Sequence, residues 1–159
     1  MQRVQIELRR VRRIFLATAL VAINVSCDFS GDKDQATAYV DQYFNAAAGS
    51  NVETVLPFYS SKFFSVTPRG TWIETLKDVR ARCGNPTSHQ LKTWGVTNRI
   101  GTDAGSMAKL VYEVRYPRCH LTESFSVFRP DDGNRQIVGH FFKFDDAAPW
   151  PPSTAPAST

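Results

Sequence analysis

The sequence has few cysteines and histidines, and none of the local spacings that usually reveal a metal site. Its 159 residues include three of each. His89, His120 and His140 form no HxH or HxxxH pair, and the cysteines form no CxxC pair. Because zinc sites usually contain such local pairs, we expect no metal and no cofactor. A zinc site built across strands from His120, His140 and a cysteine is the less favoured alternative to surface or hydrogen-bonded imidazoles.

The body of the chain lacks a charge excess of either sign. Nineteen basic and fifteen acidic residues give a net charge of +4. Residues 1–26 hold five arginines and one glutamate, so residues 27–159 hold fourteen basic and fourteen acidic residues. Binding to nucleic acid requires a basic surface that neutralises phosphates. The balance therefore predicts no nucleic-acid partner.

The sequence also lacks an apolar run long enough to cross a bilayer. A spanning helix needs about 20 apolar residues, whereas the run at residues 14–25 has about 12 and contains a threonine and an asparagine. Arginines precede this run and small residues follow it, which is typical of a signal peptide over residues 1–26. The alternative is a short, uncleaved signal anchor. Both interpretations predict that the body leaves the cytoplasm.

Residues 24–27, Asn-Val-Ser-Cys, resemble a bacterial lipobox. The resemblance implies that Cys27 carries a diacylglycerol and that residues 27–33 form the lipid anchor and tether. Asp28 is similar to the signal with which some Gram-negative bacteria retain lipoproteins in the inner membrane. The expected location is therefore the bacterial cell envelope, on the periplasmic side of the inner membrane.

Two helices are predicted directly after this tether. From Asp34 to Ala47, apolar residues recur with helical spacing, and Gly49 follows where a helix would end. Residues 50–53 have the form of a capping box that starts a second helix. Pro57 lies inside this second apolar pattern, so the second helix must be short or kinked.

A brief strand and a third helix are predicted next. Residues 63–66 are too few for a helix and are predicted as a short edge strand. The third helix begins near residues 67–71 and ends at Gly84. Its predicted core face consists of Trp72, Leu76, Val79 and Cys83.

Residues 91–144 are predicted to form a four-stranded antiparallel meander. Alternation of apolar and polar side chains is clearest at residues 110–116. Residues 147–159 consist of Pro, Ala, Ser, Thr and one Trp, which predicts a disordered tail. The expected fold is one α+β domain over residues 34–146. In it, three N-terminal helices pack on a curved, mainly antiparallel four-stranded sheet with an additional short edge strand.

This order of elements resembles the nuclear-transport-factor-two-like fold, a cystatin-like α+β cone. Residues 34–144 are similar, more narrowly, to small exported bacterial domains of unknown function. The similarity lies in the helix at residues 39–44, the helix that contains Trp72, the strand at residues 112–116 and the hairpin at residues 132–139. These are core, cap and turn positions, so the resemblance implies a fold and no particular activity.

The resemblance also suggests two surfaces. The open end of the cone is expected to suit an apolar or aromatic ligand, with a lining of Trp94, Tyr112, Tyr116, His140 and Phe142. Related cones often dimerise through the exposed face of the sheet, and Val111, Phe125 and Val127 are predicted to form such an exposed row. Of the three candidate carboxylates Asp41, Glu113 and Glu123, only Glu123 alternates with core residues in a way that directs it inward.

Cys83 and Cys119 are predicted to form a disulfide. If Cys27 is lipidated, they remain as an even pair in an exported body, where oxidation is permitted. Both lie at the edges of predicted elements, where a bridge is geometrically easy. Two buried free thiols are the alternative.

We therefore expect an exported, lipid-anchored envelope domain that acts by binding and has no catalytic residues. Its partner would be a second copy, an envelope protein or a small apolar ligand. One alternative is a periplasmic assembly component of a conjugation or secretion machine, a class that shares this fold behind a membrane segment. The other is a small cone-fold isomerase or dehydratase, in which Glu123 would be the acid–base group.

Overall fold

The computed structural model describes residues 29–102 and 104–144. In chain order, its elements are α1 (Phe29–Ala47), a 3₁₀ helix (Val52–Phe58), α2 (Ser61–Val66), α3 (Arg69–Cys83), β1 (Ser88–Arg99), β2 (Gly105–Arg115), β3 (His120–Pro130) and β4 (Gln136–Phe144). The predicted α+β class is confirmed. The predicted leader, the proposed lipidation site Cys27 and the tail at residues 147–159 lie outside the described residues.

Helix α1 begins at Phe29, five residues before the predicted start at Asp34. Its apolar stripe is buried as the periodicity predicted, with Ala36, Val40, Tyr43 and Phe44 in the core. The extra residues contain no apolar stripe, but a helix that has already nucleated extends readily. Asp32 in the first turn suits the positive end of the helix dipole. Its carboxylate also accepts hydrogen bonds from Arg129 and Arg135 at 3.2 and 2.8 Å.

The second predicted helix is a 3₁₀ helix, and it is as short as Pro57 required. Asn51 caps it, because its side chain accepts a hydrogen bond from the Glu53 N–H at 2.9 Å. The predicted edge strand at residues 63–66 is wrong, since these residues belong to α2. The Ser60 hydroxyl accepts from the Phe63 N–H at 3.0 Å and starts this helix instead. In the described part of the chain, pairing at the β4 edge is limited to one parallel bridge between Tyr59 and Ile137.

The four strands form one antiparallel sheet in the order β1-β2-β3-β4. The helices pack on one side, here called the inner face, except that α2 lies beside the edge strand β4. Buried side chains on this face alternate along β2 and β3, with Leu110, Tyr112, Val114, Leu121, Glu123, Phe125 and Val127 among them. The opposite side is called the outer face, and no helix of the described residues covers its centre.

Two β-bulges change which residues of the edge strands face inward. In β4, Val127 pairs with Ile137 but Ser126 pairs with Gly139, so Val138 is an extra residue. This extra residue reverses the alternation, and His140 therefore lies on the inner face. In β1, the register shifts in the same way between Leu91 and Thr93.

Cys83 and Cys119 lie at disulfide distance, with their sulfur atoms 2.10 Å apart. They connect the C-terminus of α3 to the start of β3, and both are buried. Arg118 supports the same junction, because its guanidinium donates hydrogen bonds to the carbonyls of Ala81 and Arg82. These bonds satisfy carbonyl groups in the last turn of α3.

Candidate functional site

A chain of four buried polar side chains runs through the middle of the inner face. Glu123 is its centre and has no solvent exposure. Its Oε2 lies 2.9 Å from His140 Nε2, and its Oε1 accepts a hydrogen bond from the Tyr116 hydroxyl at 2.5 Å. The other ring nitrogen of His140, Nδ1, lies 2.7 Å from the Tyr59 hydroxyl. We call Tyr59, His140, Glu123 and Tyr116 the inner network.

The four members of the inner network come from four different parts of the fold. Glu123 lies on β3 between the inward-facing residues Leu121 and Phe125, as the alternation predicted. His140 reaches the inner face because of the β4 bulge, and Tyr116 follows β2. Tyr59 follows the 3₁₀ helix and is held by its bridge to β4. Sequence reasoning missed Tyr59, because no local pattern distinguishes it from an ordinary core residue.

Burial determines the protonation pattern of the inner network. Desolvation lowers the pKa of His140, and the hydrogen bond to Glu123 opposes this shift only in part. A neutral imidazole follows, whose Nε2–H donates a hydrogen bond to the Glu123 carboxylate. Nδ1 then accepts a hydrogen bond from the Tyr59 hydroxyl. Burial also raises the pKa values of Tyr59 and Tyr116, so both hydroxyls remain donors.

Aromatic rings enclose the network on most sides. The ring of His140 stacks on Phe125 with centroids 4.0 Å apart, and Phe142 lies 4.4 Å away. Tyr43 contacts the imidazole edge-on at 5.4 Å, and Trp72 does so at the same distance. These contacts leave the imidazole in an apolar environment, which explains the lowered pKa of His140.

The space inside the cone is small. A cavity of about 30 Å³ lies beside the network, bordered by Tyr43, Leu76, Arg80, Tyr116 and Phe142. Such a volume holds about one or two water molecules. The guanidinium of Arg80 is fixed at its rim by hydrogen bonds to the carbonyls of Ala47 and Ser50. The groups needed for proton transfer are present, but the cavity has no room for an organic substrate.

The five residues predicted to line the cone are not brought together in one pocket. Tyr116 and Phe142 border the small cavity, and His140 belongs to the inner network. Tyr112 is buried in the core beside Phe44 and Phe125. Trp94 lies far along β1 and is 51% exposed.

The predicted dimerisation row is wrong for two of its three residues. Phe125 and Val127 are buried on the inner face, each 1% exposed. Alternation along β3 correctly predicted that both residues lie on the same face of the sheet. That face, however, is the one that the helices cover. Only Val111, which is partly buried, lies on the outer face.

The outer face carries a charge that the neutral total conceals. The sheet register places four cations there, namely Arg99, Lys109, Arg115 and Lys143, and a fifth, Lys92 at the β1 bulge, reaches this face through an ion pair. Glu113 is their one acidic neighbour among the strand residues described, and it pairs with Lys92 at 2.6 Å. The net charge of zero, from which no nucleic-acid partner was predicted, therefore describes residues 27–159 as a whole. It does not describe the outer face, which is basic.

The outer face also contains a recess of about 520 Å³ between β2, β3, β4 and α2. It forms because Ser126 and Gly139, two small residues, are paired in the register and leave space above the sheet. Its apolar walls are Val66, Met107, Phe128, Pro130, Val138 and Phe141. Phe141 is 70% exposed. This volume lies within the range of small-molecule sites.

No group of three or more potential metal ligands occurs among residues 29–102 and 104–144. Within the same residues, no helix has the length and apolar character needed to cross a membrane.

Comparison of the chain with protein-family models, with curated proteins and with solved structures found no match in any of the three.

Proposed function

We propose that this protein is an exported domain, held on the periplasmic side of the bacterial inner membrane by a lipid on Cys27, that binds a small apolar ligand. The outer recess is the binding site. The observation that carries this proposal is the contrast between the two faces of the sheet. The inner face is filled and leaves about 30 Å³, whereas the outer face offers about 520 Å³ lined mainly by apolar side chains.

Self-association through this face is less well supported. A two-fold interface brings the same surface of two copies together. Lys109 and Arg99 lie at the recess, so pairing of two recesses would bring these cations close to the same cations of the partner. Like charges that are desolvated together oppose binding. A ligand of another kind avoids this repulsion.

The binding proposal is tested with decan-1-ol, an uncharged ligand with one apolar chain. Equilibrium dialysis would measure binding of the radiolabelled alcohol to the full-length protein in amphipol, with empty amphipol subtracted. We expect saturable binding that Ser126→Leu abolishes, because the larger side chain occupies the recess. Ser124→Leu is the matched control, since Ser124 lies two residues away on the same face and outside the recess. Equal binding by both variants, or no saturable binding, would overturn the proposal.

The anchor requires a separate test. We expect the protein extracted from membranes to lack residues 1–26 and to carry a diacylglycerol on Cys27, as judged by intact mass. Cys27→Ser should retain the leader. An unmodified chain that begins at Met1 would overturn the lipid anchor and leave the recess proposal untouched.

A cone-fold isomerase or dehydratase is the second candidate, and the inner network is the observation that favours it. A buried carboxylate bonded to an imidazole and a phenol is a suitable acid–base group. A substrate would have to reach His140. Diethyl pyrocarbonate should therefore modify His140 as fast as the exposed His120 if the cone opens. Modification of His120 without His140 would exclude this candidate.

A further inference from the structure

We propose that the ligand of the outer recess is a single-chain amphiphile with a carboxylate head, of the fatty-acid type. This inference rests on the proposed binding function and adds the charge of the ligand to it. The observation that supports this inference is the positive charge of the recess. Lys62, Arg99 and Lys109 line it, and among the residues that the structure describes no carboxylate does.

Lys109 is the central cation. The register pairs it with Gly95 on β1 and with Ser126 on β3, so its stem rises from the floor of the recess between small neighbours. Its ammonium makes no ion pair or side-chain hydrogen bond with the described part of the chain. An anionic head placed beside Ser126 would satisfy this charge. An uncharged ligand would cover it without compensation.

Arg99 and the apolar walls indicate how the rest of the ligand lies. The guanidinium of Arg99 is 5.9 Å from the centre of the Phe128 ring, so the end of the recess near Phe128 combines a cation with an aromatic surface. Val138 and Phe141 form the β4 side. The chain of the ligand would contact these side chains, while the hydroxyl of Ser126, which is paired with Lys109, supplies a polar group near the head.

The volume of the outer recess favours a ligand with a single alkyl chain. About 520 Å³ is suited to a ligand of drug size. A second copy of this protein is disfavoured by the like charges described above. An extended polyanion would contact all five outer cations and would need no apolar recess. The combination of a limited apolar volume with three cations and no carboxylate is best matched by a single-chain carboxylate.

The test compares decanoate with decan-1-ol, which has the same chain length and no charge. Equilibrium dialysis against the full-length protein in amphipol would give both dissociation constants. We expect decanoate to bind about fivefold more tightly, the size of effect that partly exposed ion pairs produce. Lys109→Gln should reduce this preference, measured as the ratio of the two dissociation constants, by about threefold. Lys143→Gln is the matched control on the same face and outside the recess, and it should keep the wild-type ratio.

The outcomes separate the two proposals. Binding of both ligands with equal affinity would overturn the inference about the carboxylate and leave the binding function standing. Absence of saturable binding of either ligand would overturn both. A preference for decanoate that Lys143→Gln reduces as much as Lys109→Gln would show that the overall charge of the face acts, and would overturn the role of Lys109. A preference that Lys109→Gln reduces about threefold and Lys143→Gln leaves unchanged supports the inference.

Discussion

Glu123 and His140 face each other across β3 and β4, with Oε2 and Nε2 2.9 Å apart and neither side chain exposed to solvent. A carboxylate in such a place is stable only if hydrogen-bond donors surround it. His140 and Tyr116 supply one donor to each oxygen. The main role that these bonds give to the pair is therefore to stabilise the folded domain.

The first prediction concerns the loss of His140. His140→Leu removes a donor from the buried carboxylate and the acceptor of the Tyr59 hydroxyl, so the free energy of unfolding should fall by about 3 kcal/mol. Urea denaturation followed by circular dichroism would measure this. His120→Leu, at an exposed position, should change it by less than about 0.5 kcal/mol. Equal effects of the two variants would contradict a structural role of the inner network. Glu123→Gln gives a milder second test if His140→Leu fails to fold.

The second prediction concerns pH. Burial lowers the pKa of His140 in the folded state below the ordinary value of 6.5. As the pH falls below 6.5, the unfolded chain binds a proton at this residue before the folded domain does. The stability from His140 is therefore fully present above pH 6.5 and is lost as the pH falls through the folded-state pKa. Urea denaturation at pH 7.5 and pH 5.5 should show a steeper loss for the wild type than for His140→Gln. Identical losses would be inconsistent with this prediction.

The third prediction concerns the cysteines. Cys83 and Cys119 are 36 residues apart, and on the chain-entropy model a disulfide between them stabilises the domain by about 4 kcal/mol. The lipidated protein, denatured without reductant, should contain no free thiol. Reduction should release two thiols and lower the denaturation midpoint. Cys83→Ser with Cys119→Ser should denature at the midpoint of the reduced wild type. Two reactive thiols before reduction would show that the bridge does not form.

The fourth prediction compares two glycines. Gly84 has a φ of +88°, and a Cβ there would lie 3.0 Å from Cγ of Pro117. Gly84→Ala should therefore lower the free energy of unfolding by about 1–3 kcal/mol. Gly70 lies in α3 with nothing within 4 Å of an added Cβ. Gly70→Ala should raise stability by about 0.5–1 kcal/mol, because alanine favours a helix. Thermal denaturation of both variants tests the pair, and a loss of stability in Gly70→Ala would be the contrary result.

Local patterns in the sequence were sufficient for most of the secondary structure. The period of the apolar residues identified α1, the core face of α3 and the alternation of β2, because these patterns depend only on the geometry of one element. The pairing of Cys83 with Cys119 was also predicted from the sequence, since only these two cysteines lie within the predicted domain at residues 34–146. The prediction failed for residues 63–66, where the Ser60 cap starts a six-residue helix.

The tertiary structure decided which face each strand residue occupies. Alternation assigns Phe125 and Val127 to the same face of β3. Only the position of the helices shows that this face is buried. The β4 bulge is a single extra residue, and it exchanges the faces of His140 and Phe141. Because of that exchange, His140 meets Glu123, which lies 17 residues away, and Tyr59, which lies 81 residues away. The same exchange exposes Phe141 at the outer recess. A pattern with a period of two has no signal for such an insertion, so only the tertiary structure reveals the inner network and the recess.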